Sequence, residues 1–238
     1  MKKSVVLLSC LASFLFADID FTNRKDVDKL AMAGLKDSIN NIDEKSGGLW
    51  YLYRAQTTKW DKVKNDEFEI QDAISKAYPL FKNTIEKNQE LIGKQTVVLV
   101  GVNFQDYDFS KESFEIGNLL DEKSYLEFYG DEFSNGIKLS FDNTNAQGTF
   151  LAMNKEDAKQ FVQKRKNSYG EVNRKLIAKY YFKIKSISSF DKNVIGCVYS
   201  KGRTNNCNAL STSSVVGHIE KIEILDDKNK VISTYSYQ

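Results

Sequence analysis

The chain has one proline and one histidine among 238 residues, and only three cysteines. A single Pro79 and 13 glycines exclude a proline-rich linker or a low-complexity stalk, and no segment repeats internally. A structural zinc site takes about four Cys, His or carboxylate ligands, so one histidine and no Cys-x-x-Cys argue against a metal centre. The same absence removes a thioredoxin-like redox pair. There is no Gly-x-Ser-x-Gly, and SSVVGH, ending at His218, lacks the nucleophile-elbow spacing, so His218 reads as a strand-edge or turn residue. DNTN, from Asp142 to Asn145, lacks the glycine and glutamate of a calcium loop and reads as a turn. Neither a metal nor a cofactor is expected.

What is present begins with MKKSVVLLSCLASFLFADID. Lys2 and Lys3 precede an apolar run from Ser4 to Phe16 that ends at Ala17, the pattern of a bacterial-type secretory signal over residues 1–17. The run is shorter than the roughly 20 apolar residues of a membrane span, and no later segment is apolar enough to cross. The expectation is therefore a periplasmic or secreted protein. The alternative is a lipobox at Leu7–Cys10 with a lipid anchor on Cys10, against which the apolar run continues beyond the cysteine. Without Lys2 and Lys3, 32 basic residues face 32 acidic ones, so neither nucleic acid nor an anionic membrane is suggested as a partner.

The mature chain reads as α+β: an N-terminal helical arm over residues 18–94, then a β-rich mixed sheet or small partly open barrel over 95–238. Val27, Ala31, Leu35, Ile39 and Ile42 recur near every fourth residue. Ser46, Gly47 and Gly48 are expected to break that helix. A second begins at NDEFE with Phe68, Ala73, Ile74, Ala77 and Phe81 on one face, and Pro79 is expected to kink it or start another. Strands follow at TVVLVGVNF, YLEFYG, GIKLSF and GTFLAM. One helix interrupts them near 154–167, with Asn154 as N-cap. In the next strand Ala178, Tyr180, Phe182 and Ile184 alternate with Lys179, Tyr181, Lys183 and Lys185, which predicts one buried face and one wet one. The end of the chain reads as hairpins.

Four groups of residues are candidates for function. Cys197 and Cys207 are expected to form a disulfide in an oxidising compartment. In an unbulged hairpin they face each other only across an odd loop such as Lys201, Gly202 and Arg203, and a two-residue turn would set Asn206 opposite Cys197. Asp66, Glu67 and Glu69 form an acidic trio of the kind used for acid/base work, yet Asp66 as N-cap with Glu69 three residues on reads as a capping box. Trp50, Tyr51, Tyr53 and Trp60 are either a contact platform or the rings that pack the helical arm. Lys201 and Arg203 make the tip of the cysteine loop basic, a possible binding surface.

The leader, WDKVKNDEFE, and the strand pair LIAKYYFKIKSI and GHIEKIEILDDKNKVI together resemble an uncharacterised family of small exported bacterial proteins, a domain of unknown function. The resemblance extends over most of the mature chain and implies no activity, so no site residue carries over from it. The residues favour a non-catalytic binding or assembly module for another envelope protein or polymer. The alternative is a carboxylate-dependent hydrolase of an envelope polymer, using NDEFE or the DEF segment with Asp131 and Glu132. Alkylation of the native exported protein without reductant is expected to leave Cys197 and Cys207 unlabelled; labelling of both would sink the disulfide.

Overall fold

The computed structural model describes residues 19–117, 119–121, 123–144, 150–189, 195–200 and 203–237. The expected leader at 1–17, Cys10 and Lys201 lie outside these residues, as does the Arg203 side chain. The fold is α+β, N-terminal helices followed by a mixed sheet with one inserted helix. It divides into two compact units. One comprises the chain up to Thr96 with Tyr125–Ser140 and Ile184–Gly217, the other Val97–Ser124, Phe141–Lys183 and His218–Gln238.

In the first unit, α1 (Arg24–Ala33) starts at Asn23, whose side chain accepts from the Lys25 N–H. The four-residue apolar spacing predicts one continuous helix here. Instead α1 ends and a 3-10 segment, Lys36–Asn41, carries the pattern onward. Val27, Ala31, Leu35 and Ile39 are all buried, because both helix types return side chains to one face after three or four residues.

Gly47 and Gly48 do not break a helix. They lie inside α2 (Glu44–Ala55), capped by Asp43, which accepts from both the N–H and the hydroxyl of Ser46 at 2.8 Å. Their smallness serves packing against α4 (Glu67–Asn88). A Cβ on Gly48 would stand 2.5 Å from the Ile74 carbonyl oxygen, so the two helices meet with no room for a side chain. After α3 (Thr57–Val63), α4 runs without interruption through Pro79. Both Pro79 and Ser75, whose carbonyl the ring deprives of a donor, are exposed, so water can satisfy that carbonyl. Ala73, Ile74, Ala77 and Phe81 are buried as expected, but Phe68 in the first turn is 79% exposed.

The strands are β1 (Gln95–Asp108), β2 (Ser113–Gly117), β3 (Leu126–Phe128), β4 (Ile137–Phe141), β5 (Phe150–Ala152), β6 (Lys175–Ser189), β7 (Cys197–Ser200), β8 (Arg203–Cys207), β9 (Ser213–Leu225) and β10 (Val231–Ser236). The inserted helix, α5 (Lys155–Gln163), has Asn154 as its N-cap, accepting from Asp157. The main sheet runs β3-β4-β9-β6-β1-β2-β5, with β10 also on β9, and β7-β8 stand apart. The sheet is mixed, and just before β4 and β9 Ser134 and Leu210 form a parallel bridge while Ser213 N–H donates to Gly136 O at 3.1 Å. Sequence reading overlooks β2, whose five residues turn only Phe114 and Ile116 inward as large side chains.

In the second unit the aromatic core gathers Phe104, Phe114 and Phe161, while Phe141 packs on Tyr180 and Phe182. Burial there pushes the Tyr180 phenol up to about 12, and its oxygen accepts from the Leu120 N–H. β6 departs from simple alternation. Lys179 and Tyr181, on the face expected to be wet, are only 7% and 8% exposed.

Substituting Gly48→Ala is expected to destabilise the protein by about 1–3 kcal/mol, because backbone, not a flexible side chain, blocks the new methyl. The check is a denaturant melt beside Gly101→Ala, where a Cβ meets nothing within 4 Å.

Candidate functional site

The site grows from one buried acid. Asp28 of α1 is 3% exposed, and its carboxylate accepts from the N–H groups of Asp131, Glu132, Phe133 and Ser134 at 3.0–3.2 Å, and from the Ser134 hydroxyl at 2.8 Å. Successive N–H groups turned toward one point make an anion-binding nest, and here the protein supplies the anion itself. Gly130 permits the approach: a Cβ there would lie 2.3 Å from Asp28 Oδ1. With its backbone held, the loop turns the Asp131 and Glu132 side chains to solvent and packs Phe133 on Trp50, ring centroids 6.0 Å apart.

Helix α2 offers Trp50, Tyr53 and Arg54, which share a face at spacings of three and four. Trp50 is fully buried and donates from Nε1 to Asn208 O at 2.8 Å, so its ring packs the interior and presents no surface. Tyr53 donates to Asn206 Oδ1 at 3.2 Å and meets Trp60 edge-on at 5.4 Å. Arg54 donates from Nη1 to Glu132 O at 3.0 Å and from Nη2 to Cys207 O, joining loop to hairpin. Its buried Nε has no hydrogen-bond partner among the described residues. Tyr51 faces away, its hydroxyl 3.0 Å from Thr84 Oγ1 and its ring against Phe81.

The third wall is the β7-β8 hairpin. The Cys197 and Cys207 sulfurs lie at disulfide distance, 2.07 Å apart. Ser200 pairs with Arg203, so the turn is the two-residue kind that an unbulged ladder would make incompatible with facing cysteines. A register shift resolves it. Tyr199 pairs with Thr204 but Val198 with Asn206, so Asn205 is the extra residue of a bulge and Cys207 returns opposite Cys197.

These walls enclose a hollow of about 650 Å³ lined by Tyr53, Arg54, Thr57, Trp60, Asp61, Lys64, Asn65, Asp131, Glu132 and Thr204. It unites sequence candidates that lie far apart in the chain: two of the aromatic cluster, the DEF acids and a residue of the cysteine hairpin. Other candidates stay outside. Asp66 caps α4 through the N–H groups of Phe68 and Glu69 at 2.9 and 3.0 Å, while Glu67 and Glu69 are exposed beside it. The Asp66 N–H goes to Val63 O, so this is a one-sided cap and not a reciprocal capping box. Asp61 and Lys64 ion-pair at 2.7 Å across one turn of α3 and its end. Asp28, Arg54, Asp61 and Lys64 carry no motif that sequence reading could seize.

Residues 48–164 match the domain of unknown function DUF4852. The DUF4852 stretch begins at Gly48 inside α2 and ends just after α5, and it contains nine of the ten residues that line the hollow. WDKVKNDEFE falls within it, whereas LIAKYYFKIKSI and GHIEKIEILDDKNKVI lie beyond its end, so the match is narrower than the resemblance implies. No curated protein and no solved structure matches the chain.

The second unit holds two other polar clusters. His218 Nδ1 lies 2.8 Å from Asp142 Oδ1, and Asn143 binds Ile219 through both its amide N–H and its oxygen. Tyr181 donates to Glu223 Oε2 at 2.7 Å, Lys221 pairs with Glu223 at 2.8 Å, and both Lys179 and Lys221 stand over the Tyr181 ring. Burial pushes the Lys179 amine down. Burial also pushes the Glu223 carboxyl up, but its Lys221 and Tyr181 hydrogen bonds together with both lysine charges prevail and hold it below the usual range. Both clusters are knit into strand pairing. Among the described residues no group of three or more His, Cys, Asp or Glu is placed to hold a metal.

Removing the nest's anion with Asp28→Ala is expected to cost at least about 3 kcal/mol, since several donors lose one buried acceptor together. Amide exchange at residues 131–134 should quicken with it. Unchanged exchange there would show that the loop stands without Asp28.

Proposed function

We propose that this chain is an exported, non-catalytic binding module that engages another envelope component through the hollow between α2, α3, the 130–134 loop and the cysteine hairpin. The observation that carries the reading is that each wall is held by contacts within the chain, the loop by Asp28, the hairpin by its cysteine pair and by Trp50, Tyr53 and Arg54. A contact surface built this way is preorganised, which lowers the entropic cost of binding. The basic, apolar leader directs the chain out of the cytoplasm, and the cysteine pair at disulfide distance is compatible with an oxidising destination.

Carboxylate chemistry is the competing reading, because Asp61, Asp131 and Glu132 face one hollow. It is weaker on the disposition of its acids. A general acid or base is set by burial or by a close partner that tunes it, and all three of these side chains are exposed, with Asp61 tied to Lys64.

Thr57, exposed at the start of α3 and lining the hollow, gives the test. The protein and its Thr57→Trp variant are used to capture components of the native envelope fraction, with soluble proteins and peptidoglycan scored separately. A protein retained by the native chain and lost by at least tenfold from an equally stable Thr57→Trp supports the reading. Equal capture by both overturns the hollow as the contact site, and release of soluble fragments from peptidoglycan, abolished by Asp131→Asn, overturns binding in favour of hydrolysis.

A further inference from the structure

Resting on the hollow as the contact site, we infer that its occupant is a lysine or arginine side chain carried on a protein segment. Arg54 spends both terminal nitrogens on the Glu132 and Cys207 carbonyls. Lys64 is paired with Asp61. The row of N–H groups at 131–134, a ready anion site in any other loop, is filled by Asp28. Among the described residues Arg54 is the one lining cation without a carboxylate partner, but its terminal nitrogens are turned onto carbonyls and its Nε is buried, so an anionic ligand meets no open donor of the loop or of Arg54.

Glycan stacking fares no better. Trp60 is only 7% exposed, and Tyr53 already carries Arg54 over its ring at 5.7 Å and Asn206 on its hydroxyl. Among the charged groups of the lining, those with no hydrogen bond or ion pair to any described residue are two exposed carboxylates, Asp131 and Glu132. They project from a backbone that cannot shift without breaking the Asp28 contacts. An alkyl stem ending in a cation suits such a space, with its methylenes along the ring edges and its head on the carboxylates.

The volume of about 650 Å³ falls within the usual range for binding sites and exceeds what one side chain fills, which leaves room for the flanking peptide. Phe68, three residues beyond the lining residue Asn65, is 79% exposed, an apolar ring that a peptide would cover and a free amine would not.

The test uses the full chain and a fluorescently labelled Gly-Ser peptide bearing arginines, with a glutamate counterpart as control and anisotropy as readout. The arginine peptide is expected to bind, to weaken as salt rises, and to lose about tenfold in affinity when Asp131→Asn is combined with Glu132→Gln, with the melting temperature unchanged. Phe68→Ser is expected to weaken it further. Equal binding of the glutamate peptide, or unaltered affinity in the double variant, overturns the inference. So does full displacement by spermidine with no effect of Phe68→Ser, which marks a free amine as the occupant. If Thr57→Trp abolishes capture of the native partner while the double variant leaves it intact, the hollow stands and the charge assignment falls. If Thr57→Trp leaves capture intact, the hollow itself is the wrong site.

Discussion

Five donors converge on the carboxylate of Asp28, four of them consecutive backbone N–H groups. A buried carboxylate is tolerated only when its lone pairs are filled, and a buried run of N–H groups only when something accepts from it. Each solves the other's difficulty. The consequence reaches beyond the loop, because Glu132 O is then in position for Arg54 and Phe133 for Trp50, and through those two residues α2 is tied to the same place. Gly130 is the one concession the contact demands of the sequence, since any Cβ there collides with the carboxylate.

Helix α2 transmits this order to the rest of its unit. On one side Gly48 lets it lie against α4 at backbone distance; on another, Trp50, Tyr53 and Arg54 bind successive residues Asn208, Asn206 and Cys207 of the hairpin. The role of the cysteines follows from that list. All three anchors lie at or beside Cys207, so the cross-link secures to β7 the end of β8 that α2 grips. Closing a loop this short stabilises by about 2–3 kcal/mol in the chain-entropy account, a useful part of a typical 5–15 kcal/mol total. The bulge at Asn205 is what makes the link geometrically possible beyond a two-residue turn.

What could be read from the sequence was local. Asp66 and Asn154 are caps because an oxygen two or three residues from a free N–H needs no tertiary information, and the same holds for the Asp226–Lys230 turn that joins β9 to β10. Gly47 and Gly48 were illegible for the opposite reason. In sequence they resemble a helix stop, and only the approach of Ile74, 26 residues later, shows that they are a packing surface. Lys179 and Tyr181 alternate as a wet face should, yet Glu223 and Lys221 of the neighbouring strand bind and cover them. The DEF segment drew notice for its acids, while its structural work is done by its amides, which no side-chain pattern records. The elements of the hollow were thus largely legible and their assembly was not, because Asp28 and Arg54 act across separations of 78 to 153 residues.

The distinction between charges consumed by the fold and charges left to water bears on function more directly than any motif does. Arg54 is held by two carbonyls, and Asp28, Lys64 and Asp61 are each answered within the chain. Asp131 and Glu132 are not, although their backbone is among the most tightly held in the unit. Selection for stability alone gives no reason to hold two unanswered carboxylates rigidly at the rim of a hollow, since exposed acids add little to folding wherever they point. Rigid placement matters when a second molecule must find them, because groups already fixed lose little freedom on contact. Catalysis would need the same rigidity but also burial or a tuning neighbour, and these acids lie in the open. The combination of a fixed backbone and exposed charge is what recognition requires, whereas proton transfer asks in addition for burial or a tuning neighbour.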